Sequence, residues 1–153
     1  MKNYEIPITK WLYLISGLRK RGQGLRESGA FLLHKADKIR INKIIFYDQL
    51  DPEVSKTGII RFNGSGYVKL WNLLKDLKME VAADIHTHPD YNTNQSYADQ
   101  RHPMVRLQGH VAMIAPNFAL NRWLTPGDCS SYIYQGNFNW KKAHSYGISC
   151  SLP

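Results

Sequence analysis

The segment from Val81 to Asp99 constrains this chain more than any other stretch. It begins with the apolar run Val81-Ala82-Ala83, passes through His86 and His88, and meets Pro89 at once. Residues two apart on a strand leave the same face. Both imidazoles are therefore expected side by side at the end of a buried strand, Val81 to His88, that Pro89 terminates. The polar loop from Asp90 to Gln95 then leads to Ser96-x-x-Asp99, a helix-start pattern.

Taken singly, Ser96 and Asp99 amount to a helix cap. The combined pattern His-x-His-x7-Ser-x-x-Asp is far more specific, with a chance frequency on the order of one in a thousand for a chain this size. Zinc in hydrolytic sites takes three protein ligands and leaves a fourth position for water. His86 and His88 supply two, and Asp99 is the natural third. Capping and ligation are compatible, because a helix N-terminus is a rigid place from which to aim a carboxylate. Iron with two His and one carboxylate is the rival on ligand count alone.

The spacing resembles the JAMM motif of the JAB/MPN metalloprotease family, where it follows an upstream Glu at the edge of a first strand. Here Arg26-Glu27-Ser28-Gly29-Ala30-Phe31-Leu32-Leu33 supplies that Glu as Glu27, and the resemblance runs from position 27 to about 115. It implies an α/β fold in which a curved mixed β-sheet is flanked by helices, the cytidine-deaminase-like MPN/JAB architecture, with one Zn2+ at the sheet edge. It also implies that His86, His88 and Asp99 hold the zinc, that Glu27 is the general acid/base, and that Ser96 helps to stabilise a tetrahedral intermediate. Glu27 and Ser96 favour hydrolysis over the iron alternative.

The implied substrate is the amide bond after the C-terminal Gly tail of a ubiquitin-like protein, cut in deconjugation or precursor maturation. In the family, the region matching Asp48 to Phe62 receives that tail as an added strand, which makes Ile59 and Arg61 the expected substrate-binding positions. The chain is compact, with only a short stretch between Asp99 and the next apolar strand. In this it resembles prokaryotic members, including those accompanying bacterial ubiquitin-like conjugation systems in antiphage defence, and E1- or E2-like enzymes are then expected partners. Processing of sulfur-carrier proteins is a second enzymatic reading. A metal-free MPN scaffold and a basic nucleic-acid-associated protein are readings of another class.

The 153 residues, 43% hydrophobic and 12% aromatic, fit a single globular domain spanning 1–153. No apolar run approaches the roughly 18 residues needed to span a bilayer, and the stretch from Trp11 to Ile15 lacks a signal-peptide cleavage pattern. Cys129 and Cys150 form no CxxC pair and no ligand spacing with the histidines, which suits a reducing cytoplasm. The net charge of +8 favours an acidic partner. Its basic residues are scattered, however, and only Arg19-Lys20-Arg21 is contiguous, which argues for a solvated basic surface over a nucleic-acid reader.

Elsewhere, Trp11, Leu14, Ile15 and Leu18 predict an amphipathic helix over 9–20, with Thr9 as N-cap and Gly22 beyond its end. Strands are expected at Ala30 to His34 and Ile39 to Tyr47, antiparallel across a turn at Lys35 to Lys38. Asp48 to Thr57 reads as a loop and Gly58 to Phe62 as a strand. A helix follows, with Tyr67, Leu70, Trp71, Leu74 and Leu77 as its apolar stripe. Ser96 opens a short helix that Pro103 limits. His110 to Ala115 reads as a strand, and Ser130 to Tyr134 with Phe138 to Trp140 as a closing hairpin. His34, His102 and His110 are assigned structural or solvent roles.

Overall fold

The computed structural model describes residues 2–143 and 148–153. Its main body is an open, mixed, six-stranded sheet in the order β3-β2-β4-β5-β6-β7. The strands are β2 (Gly29–Lys35), β3 (Ile41–Phe46), β4 (Met79–Thr87), β5 (Val111–Ala115), β6 (Ser130–Gly136) and β7 (Asn139–Ala143). Strands β4 and β5 run parallel, while every other adjacent pair is antiparallel. A separate parallel pair joins β1 (Tyr4–Pro7) to β8 (Ile148–Ser151).

Helices cover both faces of the sheet. Helix α1 (Ile8–Gly22) buries Trp11, Leu14, Ile15 and Leu18 against Ala30, Leu32, Ala83, Ile85 and Met113. The opposite face carries Phe31, Leu33 and Ile45, packed with Leu70 of α3 (Gly64–Leu77) and with Tyr47 and Leu50 of the short α2 (Tyr47–Leu50). Alternate residues of β2 thus serve two cores, which is why the strand reads as an unbroken apolar run rather than an alternating one. Each fully buried Leu, Ile or Phe in these layers contributes roughly 1.5–3 kcal/mol.

The α1 boundaries differ from expectation by part of a turn at each end. Pro7, not Thr9, occupies the N-cap without a side-chain hydrogen bond. Gly22 stays helical, and Gln23 takes the left-handed conformation, φ 52°, with its N–H bonded to the Arg19 carbonyl. Three basic residues in the last turn complement the helix dipole.

The expected strand over Gly58 to Phe62 is absent, and those residues form a loop. Their amides are spent locally: Gly58 N–H bonds Ser55 O, Ile60 N–H bonds the Glu27 carboxylate, and Arg61 N–H bonds Val54 O. With these three amides committed locally, the segment pairs with no neighbouring strand among the described residues. Strand β3 also begins later and ends earlier than Ile39 to Tyr47, because Tyr47 turns into α2. On α3 the buried side includes Leu70 with Tyr67, Leu73 and Leu74 partly covered, while Trp71 and Leu77 are exposed.

Tyr47 packs flat against the start of β2, where only glycine fits. A Cβ on Gly29 would lie 2.1 Å from the Tyr47 ring. Gly29→Ala should therefore destabilise the protein by about 1–3 kcal/mol through overpacking, seen as a lower urea midpoint with an unchanged slope.

Candidate metal centre and cleft

Strand β4 carries the site to its C-terminal end. Asp84 and His86 point to the face opposite the α1 core, which holds Ala83 and Ile85. His88 lies just beyond the strand, with its amide bonded to Ala115 O at 2.9 Å. The two imidazole rings stand 5.1 Å apart. The Asp90 to Asn94 loop returns the chain through successive Asx turns, Asp90 Oδ1 accepting from Asn92 N–H and Asn92 Oδ1 from Asn94 N–H.

Helix α4 (Tyr97–Arg101) then presents Asp99. Ser96 is its N-cap: Ser96 Oγ accepts from Asp99 N–H at 3.1 Å, and Asp99 Oδ2 accepts from Ser96 N–H at 2.7 Å. This capping box fixes the carboxylate, as the sequence pattern implied. Asp99 Oδ1 lies 3.2 Å from His86 Nε2, and Oδ2 lies 3.1 Å from His88 Nε2. Burial alone would raise the Asp99 carboxyl, but the His86 and His88 imidazoles beside it outweigh this and hold it well below the usual carboxylate range.

The donor set fits a metal ion. His86, His88 and Asp99 each bring a ligand atom within 4.8 Å of the others. His88 Nδ1 lies 2.8 Å from Asn92 O, so the ring proton sits there and Nε2 offers its lone pair to the centre. His86 Nε2 is buried and makes no hydrogen bond. A buried, unpartnered nitrogen aimed at a carboxylate and a second imidazole is a costly arrangement without a cation to receive it. Two nitrogens and one oxygen with an open approach match a hydrolytic zinc site.

Glu27 reaches the same cleft from the loop before β2. The register Gly29↔His86 brings this end of β2 beside the ligands. Ser28 anchors the turn, its N–H bonded to Thr87 Oγ1 and its hydroxyl to Leu18 O. Glu27 N–H donates to Gly58 O, Glu27 O accepts from the Ser55 hydroxyl, and Glu27 Oε2 accepts from Ile60 N–H at 3.2 Å. The loop expected to be a strand is therefore the clamp that holds Glu27. Burial pushes the Glu27 carboxyl above its ordinary value, against the opposing pull of His86 and the Ile60 N–H.

These groups open into a cleft of about 1310 Å³. Glu27, His86, Ser96 and Asp99 line it, as do Ile59 and Arg61, so all these sequence-derived positions except His88 face one space. Beneath the cleft lies a network not anticipated from sequence. Buried Asp84 accepts from the Tyr47 hydroxyl at 3.0 Å and pairs with buried His110. The available signal was a lone acid at position 84, two before His86 and hence on its face of the strand. His110 is structural here, as is His34, which bonds Lys38 O through Nδ1. His102 caps the C-terminus of α4 at the cleft. Cys129 and Cys150 are free and outside the cleft lining, and burial pushes the Cys129 thiol up to about 12. No helix among the described residues is long and apolar enough to cross a membrane.

No family model matches the chain. Among solved structures, it resembles protein DSY2949 from Desulfitobacterium hafniense with a TM-score of 0.68 at 12% identity, over 98% of this chain and 94% of that one. It also resembles AF2198, a JAB1/MPN domain protein from Archaeoglobus fulgidus, with a TM-score of 0.52 at 13% identity, over 97% of this chain and 98% of that one. At these identities the likeness concerns the fold, and the fold is a mixed α/β architecture of the JAB1/MPN kind.

Proposed function

We propose that the chain is a zinc-dependent amide hydrolase that cuts after the C-terminal Gly tail of a ubiquitin-like protein. The observation that carries this reading is the convergence of His86, His88 and Asp99 on one point, with Glu27 lining the same cleft. The JAB1/MPN fold supports it, since the ligand pattern occurs on the architecture in which the sequence resemblance implied it. A scaffold without catalysis would have no need of three converging ligands beside a half-buried carboxylate.

His86, His88 and Asp99 would hold the zinc, which when bound supplies a Lewis acid able to lower the pKa of water from 15.7 to about 7. Glu27 takes the proton of the attacking water. Its partial burial suits the task, because a carboxyl raised above its ordinary value is a better partner for proton transfer in both directions. The Ser96 oxygen is engaged as a cap acceptor, so its hydroxyl hydrogen is free to donate to the oxygen on which charge develops. Glu27 then returns the proton to the leaving amine. No covalent enzyme intermediate is formed, and neither cysteine is needed.

The direct test is elemental analysis of protein prepared without chelator, together with cleavage of a ubiquitin-like protein fused through its Gly tail to a reporter. One zinc per chain and chelator-sensitive cleavage are expected. Protein that neither contains nor binds zinc would end this reading.

Residues 58–62 pair with no strand in the free chain, so the tail is proposed to meet this segment as a loop. Arg61→Pro would break its bond to Val54 O and disturb the Glu27 clamp, so it would not report on substrate alone. Ile59 is 48% exposed and lines the cleft. Ile59→Ala should raise KM several-fold, roughly the loss of part of one apolar contact, with kcat little changed. A lowered kcat at unchanged KM would instead place Ile59 in support of Glu27.

A further inference from the structure

The cleft is larger than a glycine tail requires, and its walls have a distinct chemistry. Drug-sized ligand pockets run to about 300–1,000 Å³, and this cleft exceeds them at about 1310 Å³. Two lining segments, residues 59–63 and 103–107, are joined through Tyr67, whose ring packs on Phe62 at 4.7 Å and whose hydroxyl bonds Met104 O at 2.7 Å. Exposed Trp71 and Leu107 extend the apolar lining toward solvent.

The charges in this lining are one-sided. Its acidic side chains are Glu27, Asp84 and Asp99: the first is the proposed acid/base, the second is paired with His110 and Tyr47, and the third belongs to the metal centre. The remaining fixed charges are Arg61 and Arg106. Both side chains are exposed, and among the described residues neither has a carboxylate within ion-pair distance. The Arg106 guanidinium stands 5.5 Å over the Phe138 ring, which Arg101 also approaches at 5.3 Å. Resting on an aromatic face, the Arg106 fork is oriented while its hydrogen-bond donors remain available.

We infer that the segment entering this cleft is an extended peptide carrying acidic residues among apolar ones upstream of the cleaved bond, with Arg61 and Arg106 receiving its carboxylates. The inference rests on the cleft being the site of amide hydrolysis and goes further by naming the character of the tail. A lysine- or arginine-rich tail would meet two guanidiniums and no uncommitted acid, so the same charges exclude it.

The test is binding, read by fluorescence anisotropy on the 153-residue chain carrying Glu27→Gln, so that turnover plays no part. The probes are identically labelled hexapeptides, Leu-Glu-Leu-Glu-Gly-Gly and its Lys and Gln counterparts. At about 50 mM salt the Glu peptide should bind about five- to tenfold more tightly than the Lys peptide, a gap that shrinks as salt screens exposed charges. The pair R61E/R106E should reverse the order, and R61K/R106K should keep it. Equal binding of the peptides, no binding of any, or an order unmoved by R61E/R106E would overturn the inference. Wild-type protein that cleaves Glu and Lys substrates equally well would overturn it while leaving the hydrolase reading intact. A Glu preference in a protein without amidase activity would end the hydrolase reading and leave only the cleft's preference for acidic peptides.

Discussion

Glu27→Gln is expected to keep its fold and its zinc while losing about 10²- to 10⁴-fold in turnover, the usual contribution of a positioned acid/base. The substitution preserves shape and leaves an amide oxygen to accept from Ile60 N–H, so the clamp through Gly58 and Ser55 survives. What disappears is the proton-carrying carboxylate. A kcat that falls with KM nearly unchanged is the signature of a group acting on the transition state alone. Loss of zinc from this variant would make Glu27 a ligand. Full activity would remove it from the chemistry and leave the base unidentified. Because contacts to the substrate persist, the variant should also retain an uncleaved conjugate on a column.

Much of the candidate site is legible in the sequence, and the reason is local. His86 and His88 stand side by side because an extended chain repeats every two residues, although the strand itself stops at Thr87, and Ser96 and Asp99 form a capping box because that spacing closes one helical turn. Rules of that range need only neighbouring residues. The amphipathic stripe of α1 was legible for the same reason, although its caps shifted by part of a turn. The β1 and β8 pairing was missed because it joins residues near the two ends of the described chain, and short segments such as Tyr4–Pro7 gain strand character only from a distant partner.

The loop over 58–62 illustrates the opposite failure. Ile59-Ile60-Arg61-Phe62 has the composition of a strand, and composition suggested one. Tertiary context decided otherwise, because the Glu27 carboxylate captured the Ile60 amide and the Asp51–Val54 turn captured that of Arg61. The cleft walls were hidden for a related reason: Trp71 sits in a helical apolar stripe that reads as core, yet it is exposed and lines the cleft instead. Asp84 was visible as a lone acid in an apolar strand, but its partners Tyr47 and His110 come from separate elements. Removing that acid would leave two buried polar groups unpaired, each costing about 1–3 kcal/mol.

His88→Ala is expected to abolish zinc binding at every pH, and the wild-type chain to lose its zinc as pH falls through the range in which histidine protonates. Removing an outer partner of a metal ligand already weakens binding by about 10- to 100-fold, so removal of a ligand itself should cost more. The pH dependence follows from the metal-free state. Burial favours the neutral His88 ring, but hydrogen bonds to Asp99 and Asn92 outweigh it and raise the imidazole above its ordinary value. Only the deprotonated ring ligates, so a raised value means that protons displace the metal from a higher pH downward. Above that value the site is ready to load; below it, His88 and Asp99 form an ion pair that competes with zinc. Two measurements check this. Competition with a chromophoric chelator at several pH values should give an affinity that falls steadily through the histidine range. Thermal unfolding at pH 7.5 should rise by about 5–10 °C when free zinc reaches about 100 times the dissociation constant, since binding to the folded state alone then adds about 2.7 kcal/mol. His88→Ala should show neither response. A variant that held zinc with near wild-type affinity would transfer the ligand role to another residue and dissolve the centre as described.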